Sequence, residues 1–198
     1  MEQLSSIDAS YIYAENPKRP MHITTATIYD PATAAQGKVR LKEIMGLFER
    51  AVYSVPMFRQ RLMDVPMGLD EPYWVEDPDF DIEYHVRHVA LPKPGDWRQL
   101  YIQIARINAR RLDRTRPLWE VYVIEGLNHL EGVPSGSFAL LIKLHYAAFN
   151  GEALRSLFRF INTTEATAPP SEEHFNRAIY RDVKRGNVPL LYSAWQHT

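Results

Sequence analysis

The sequence predicts an α/β or α+β domain. Two observations carry that prediction: the apolar period switches repeatedly between two and 3.6, and prolines and glycines punctuate the switches. A third bounds it. The 198 residues are 45% hydrophobic and 24% charged, which excludes disorder and collagen-like structure. Such a length supports one domain, or one and a fraction, with roughly 70% of the unfolded surface buried.

Met21 to Tyr29 is rich in β-branched residues and lies between Pro20 and Pro31, so it reads as a strand. Leu41, Ile44, Met45, Phe48 and Val52 recur at helical spacing, predicting a helix over 39–54 that Pro56 stops. Phe58 to Val65 reads as a strand, followed by a Pro/Gly-rich acidic turn, and Ile82 to Leu91 alternates as another strand. Asp96 is placed as an N-cap, with Gln99 as its capping-box partner. Behind it Trp97, Leu100, Tyr101, Ile104 and Ile107 form one apolar stripe. Trp119 to Glu125 and Phe138 to His145 are strands joined by a loop with Gly132, Pro134 and Gly136. Leu154, Leu157, Phe158 and Ile161 stripe a helix that starts near Asn150 and Gly151. After Pro170 the character changes. Ser171 to Arg185 has the pattern of a basic amphipathic helix, and an apolar, aromatic end runs to Trp195. The organisation expected is a domain over 1–165 and a linker or amphipathic tail over 166–198.

Charge and composition remove several function classes. The net charge of -1 argues against nucleic acid as a partner. Arginine supplies 17 of the 23 basic residues, and the charge is segregated. Asp64 to Glu83 holds eight acidic residues and no basic one, whereas Arg98 to Arg116 holds six arginines. These read as two solvated faces, facing one another. The absence of cysteine excludes a disulfide and a thiol nucleophile, and it fits a reducing compartment. The start, MEQLSSIDASYIY, lacks signal-peptide features, and no run of 18 apolar residues occurs. A cytoplasmic protein is the expectation.

No GxGxxG, GxxxxGK[ST] or GxSxG motif is present, so dinucleotide, P-loop and α/β-hydrolase readings lack their key elements. His85 and His88 would face opposite sides of a strand with no third ligand, and no metal site is expected. The informative stretch is Phe138 to Gly151, a buried-looking strand running into a tight turn and a helix N-terminus. A strand end is rigid and opens onto a cleft, which suits catalysis. The residues alone also allow His145 to close a core strand while Asn150 caps the helix.

Leu4-Ser-Ser-Ile-Asp-Ala-Ser10 with Pro20-Met21-His22, Phe58-Arg-Gln-Arg-Leu62, and Trp74-Val-Glu-Asp-Pro-Asp-Phe-Asp81 form a series of blocks. Tyr84-His85-Val86-Arg87, Leu91-Pro92, Leu112-Asp113-Arg114, Arg116-Pro117-Leu118-Trp119-Glu120 and Ile124-Glu125-Gly126-Leu127 continue it. Through these blocks, residues 4–162 resemble the N-terminal domain of the bacterial wax ester synthase/diacylglycerol acyltransferase family, within the coenzyme A-dependent acyltransferases. The resemblance implies an α/β, two-layer mixed sheet with helices on one face, one half of a chloramphenicol acetyltransferase-like fold. It also implies O-acyl transfer from acyl-CoA to a long-chain alcohol or diacylglycerol in storage-lipid synthesis, with no bound cofactor.

In that family the strand-turn-helix junction carries HHxxxDG, whose second histidine takes the proton of the acceptor alcohol. The alcohol oxygen then attacks the thioester without a covalent acyl-enzyme, and the aspartate holds the turn. Here the motif reads His145-Tyr146-Ala147-Ala148-Phe149-Asn150-Gly151. His145 and Gly151 are retained, Tyr146 stands at the base position, and Asn150 replaces the aspartate. Pro117, Leu118 and Trp119 carry the family's Pro-Leu-Trp motif. A phenol titrating near pH 10 is about one part in a thousand ionised at pH 7, whereas a general base should titrate near the working pH. His145 is a poor substitute, because adjacent strand residues face opposite sides of the sheet. The family also builds its cleft between two related domains, and this sequence stops in what resembles the crossover between them. The expectation is therefore an impaired acyltransferase half. The alternative is a non-catalytic half that binds a complementary subunit or, through residues 171–195, a membrane or lipid-droplet surface.

Overall fold

A computed structural model describes residues 1–34, 37–148 and Ile161 of the chain. The helix expected from Asn150, the tail expected after Pro170, and Asn150 and Gly151 themselves lie outside the described residues. In chain order the elements are β1 (Glu2–Gln3), α1 (Ser6–Ala14), β2 (His22–Tyr29), α2 (Leu41–Ser54), β3 (Gln60–Met63) and β4 (Tyr73–Glu76). They continue with α3 (Ile82–His85), β5 (Val86–Ala90), α4 (Trp97–Ala109), β6 (Trp119–Glu125) and β7 (Phe138–His145).

The main sheet has strand order β2-β7-β6-β5. It is mixed: β2, β7 and β6 pair antiparallel, and β5 joins β6 in parallel. A smaller antiparallel sheet has the order β1-β4-β3. The α/β class and the mixed sheet are as the sequence predicts. Strands β6 and β7 match their expected bounds at both ends.

The helices cover both faces of the main sheet rather than one. Val121, Val123, Leu140, Ile142 and Leu144 pack with Ile44, Phe48, Ala51 and Val52 of α2 and with Ala9 and Ile12 of α1. Tyr122, Ile124, Ala139 and Leu141 pack instead with Leu100 and Ile107 of α4. The reason lies in β6 and β7, which are apolar at successive positions, so neither face can be left to water. In α4 the capping box forms as expected: Asp96 Oδ1 accepts from Gln99 N at 2.8 Å and Gln99 Oε1 from Asp96 N at 3.2 Å. Tyr101, expected in the buried stripe, is exposed and stacks on Trp97 at the helix surface.

Three further differences from the sequence reading have local causes. The strand expected over Ile82–Leu91 begins only at Val86, because Asp81 caps a helical turn through Glu83 N at 2.9 Å. That turn delivers His85 to the core. Within the stretch read as an acidic turn, Tyr73-Trp74-Val75 is buried and forms β4; its flanking prolines and acids hid a short apolar run. Helix α1 is capped by Ser5 but lacks a clean apolar period, with Ala9 and Ile12 buried and Ile7 and Tyr13 exposed. The acidic block pairs largely with its own hairpin, through Arg59–Glu76 at 3.5 Å and Arg61–Asp77 at 3.7 Å. It meets the arginine-rich segment through Arg116, which donates to Asp79 O at 2.6 Å and lies 3.9 Å from Asp77 Oδ2, and through Tyr84 and Asp113.

The Pro-Leu-Trp motif sits where the two sheets meet. Leu118 and Trp119 are fully buried. The Trp119 indole donates to Phe58 O at 2.9 Å, and its ring stacks on His85 at 4.4 Å and meets Phe58 edge-on at 4.9 Å. Truncation of this side chain removes both packing and an indole hydrogen bond. Trp119→Ala is expected to cost about 3–5 kcal/mol of stability, measured by urea denaturation; a loss below about 1 kcal/mol would contradict this central role.

Candidate functional site around the end of strand β7

Strand β7 ends at His145, and residues 146–148 turn away from the sheet. Both neighbouring strand regions pin this exit. His145 N donates to Leu118 O at 3.1 Å, and Tyr146 N donates to Met21 O at 3.0 Å. The Pro-Leu-Trp segment thus supplies a carbonyl that holds the motif strand as well as the indole that joins the sheets.

His145 is 1% exposed. Its Nδ1 accepts from Ala147 N at 3.1 Å, which stabilises the turn from within. The neutral ring therefore carries its proton on Nε2, and that nitrogen lies 3.8 Å from Glu15 Oε1. Burial pulls the imidazole down to about 4; the Glu15 carboxylate opposes this, while Arg114 and His22 add to it. Glu15 is itself buried and engaged: its Oε2 accepts from Arg114 Nε at 3.1 Å and from the terminal guanidinium nitrogen at 2.9 Å. Its Oε1 also lies 3.5 Å from Met21 N, which donates to it.

His22 is the direct cross-strand partner of His145, so the two rings share one face of the sheet. His22 Nε2 donates to Asn108 O at 2.9 Å, and Thr24 Oγ1 donates to Asn108 Oδ1 at 2.7 Å. Burial, then the nearby Lys143 charge, lowers the His22 pKa. Lys143 is fully buried on the same face, two residues before His145. Its ammonium donates to Ile107 O at 3.1 Å and to Arg110 O, satisfying carbonyls at the C-terminal end of α4. Burial lowers its pKa to about 8, against the pull of Glu120.

Tyr146 lies on the other side. It is 42% exposed, with its ring 5.6 Å from that of Tyr11. The alternation that buries His145 thus turns residue 146 outward, and the position that the resemblance gives to the base holds a phenol. His145 does not face that way: its Nδ1 accepts the Ala147 amide, and its Nε2, which makes no hydrogen bond among the described residues, is buried facing Glu15. His85 and His88 do not meet: His85 Nδ1 donates to Trp119 O at 2.7 Å in the core, while His88 Nε2 lies 2.9 Å from Glu125 at the surface.

The structure joins His145 to the Pro-Leu-Trp segment through the Leu118 carbonyl. It adds Glu15, His22, Arg114 and Lys143, which sequence reasoning missed as site residues. Lys143 had a signal, as the lone charge inside an apolar strand. Glu15 and Arg114 had none, because the contact spans 99 residues.

This mixed α/β architecture is shared with acyltransferases of known structure. The structure matches the wax ester synthase/diacylglycerol acyltransferase from Marinobacter aquaeolei VT8 with a TM-score of 0.63 and 28% identity, covering 85% of this chain and 41% of that one. The first condensation domain of the calcium-dependent antibiotic synthetase shares the fold alone, with a TM-score of 0.61 at 12% identity over 81% of this chain and 36% of that one. In sequence, residues 4–189 match the wax ester synthase/diacylglycerol acyltransferase catalytic domain. A Mycobacterium tuberculosis H37Rv protein named as a diacylglycerol O-acyltransferase is 41% identical over 149 residues, covering 75% of this chain and 52% of the relative. Another from the same strain is 36% identical over 169 residues, covering 85% and 32%. The chain belongs to the wax ester synthase/diacylglycerol acyltransferase family. It spans from 32% to 52% of the length of these relatives.

The buried histidines predict an acid-sensitive fold. His85, which burial holds at about 4, and His145 both have native pKa values below the ordinary 6.5. The unfolded chain therefore binds their protons more readily, and stability falls as the pH drops from 6.5 toward 4. The urea midpoint is expected to fall between pH 7 and pH 5, and His145→Asn is expected to flatten part of that slope. A midpoint constant over this range would show that these rings are not held neutral.

Proposed function

We propose that this chain is part of an acyl-CoA-dependent O-acyltransferase of storage-lipid synthesis and that, as this polypeptide, it is impaired in turnover. Acyl-CoA is the donor, and a long-chain alcohol or diacylglycerol the acceptor. The family membership and the Pro-Leu-Trp junction support the lineage. One arrangement supports the impairment: His145 is buried, its Nδ1 accepts the Ala147 amide, its Nε2 faces the buried Glu15, and the residue beside it that faces outward is Tyr146. Phenols as a class provide little base at neutral pH. With Asn150 at the aspartate position, the motif retains the fold-forming histidine and the glycine while lacking the proton acceptor.

A second reading is a non-catalytic half that pairs with a complementary domain or subunit. Ile7, 72% exposed, shares a face of α1 with Tyr11, whose ring meets that of Tyr146, so apolar surface borders the motif. No helix among the described residues is long and apolar enough to cross a membrane. A cytoplasmic site of action at a lipid surface belongs to the proposal.

The test is release of free CoA from palmitoyl-CoA by the purified chain, with hexadecanol or diacylglycerol as acceptor. The expected result is no release above the protein-free rate. Turnover that disappears in Tyr146→Phe would overturn the impairment and make the phenol the base. For the second reading, the native mass in extracts of the source cell should exceed that of a monomer through a companion resembling the rest of the family's length; a lone monomer argues against it.

A further inference from the structure

The segment between α4 and the Pro-Leu-Trp motif, residues 110–116, carries four arginines, of which Arg114 is engaged by Glu15. It borders a cleft of about 520 Å³, lined by Glu15, Arg110, Arg111, Asp113, Arg114 and Thr115 among others. That volume falls within the roughly 300–1,000 Å³ typical of small-molecule sites. The cleft also reaches the motif, because Glu15 forms part of its wall and faces His145 Nε2 at 3.8 Å.

The charges in this wall are unequally spent. Glu15 is neutralised by Arg114. Asp113 Oδ1 accepts from Thr115 N at 2.9 Å and from Thr115 Oγ1 at 2.7 Å, and its Oδ2 from Tyr84 at 3.4 Å. Arg110 and Arg111 are exposed, and neither guanidinium has a hydrogen-bond or carboxylate partner among the described residues. A helix C-terminus ordinarily repels anions. Here that repulsion is blunted, because Lys143 occupies the carbonyls of Ile107 and Arg110 and His22 that of Asn108. Lys143 thus holds a buried ammonium against the Arg110 carbonyl. Arg110 and Arg111 both line the cleft, and guanidinium groups match the oxygens of a phosphate ester, which they can grip in bidentate pairs.

We propose that Arg110 and Arg111 form a phosphate-binding subsite at the mouth of this cleft, for the phosphate groups of a soluble ligand. That the ligand is the CoA portion of the acyl donor rests on the acyltransferase reading; the phosphate chemistry does not. The subsite places an anionic anchor on the same cleft that Glu15 connects to the end of β7.

The experiment is isothermal titration of the full chain with inorganic pyrophosphate and, separately, with CoA. Arg110→Gln/Arg111→Gln should weaken both by about 10-fold or more, the scale of a lost charge-assisted hydrogen bond. Arg98→Gln/Arg106→Gln, an equal charge change on α4, should leave both affinities within about twofold. The replaced side chains are exposed, and an unchanged far-UV spectrum and melting temperature verify folding. Equal weakening by the two double variants would overturn the subsite in favour of diffuse attraction. CoA binding at undiminished affinity in Arg110→Gln/Arg111→Gln would overturn the subsite while leaving the acyltransferase reading intact. Arginine-dependent pyrophosphate binding with no binding of CoA would keep the subsite and remove the acyl donor as its ligand. Arginine-dependent flotation on phosphatidic-acid vesicles without pyrophosphate binding would assign the phosphate to a lipid headgroup and overturn the soluble ligand.

Discussion

Burial of β7 is the constraint on which the rest of the structure depends. All eight of its residues are buried, although two of them, Lys143 and His145, are polar. A fully buried strand needs packing on both faces and an internal partner for each polar atom. The first requirement puts α1 and α2 on one side and α4 on the other. The second makes Lys143 close the end of α4 and makes His145 hold its own turn. One strand thereby positions three helices and the candidate site.

The same constraint explains the division of labour in the motif. Side chains along a strand alternate, so a histidine committed to the interior is followed by a residue turned outward. His145 is the interior member, held by the Ala147 amide on one nitrogen and facing Glu15 on the other. Its low pKa follows from burial, and neutrality suits a ring that accepts a backbone hydrogen bond. Position 146 faces outward instead, where the Tyr146 ring meets that of Tyr11. Trp119 completes the arrangement: its segment supplies a carbonyl to β7, an indole to Phe58 and a second carbonyl to His85.

Polar groups around this strand form one connected system. Glu15 and Arg114 brace His145 from the end of α1, while His22, Thr24 and Asn108 tie β2 to α4 beside it. Such networks are valuable when satisfied and costly when broken, because burial raises the penalty of every unpaired atom. The cleft over Arg110 and Arg111 opens at the edge of this system. There Glu15 is paired with Arg114, and the remaining charge is positive.

Much of this protein is written locally in its sequence. The β-branched run of Met21–Tyr29, the largely apolar runs of β6 and β7, and the Asp96–Gln99 capping box each depend on residues a few positions apart. The family blocks likewise locate His145, Tyr146 and the Pro-Leu-Trp segment. Tertiary structure decided what local pattern could not. Tyr73–Glu76 becomes a strand only because β1 and β3 flank it, and Ile82–His85 coils because His85 finds a place under Trp119. The second helical layer and the Glu15–Arg114–His145 contact were equally hidden. They arise from pairs of segments distant in sequence, and burial energy, set by which surfaces meet, selects among conformations that local propensity leaves nearly equal.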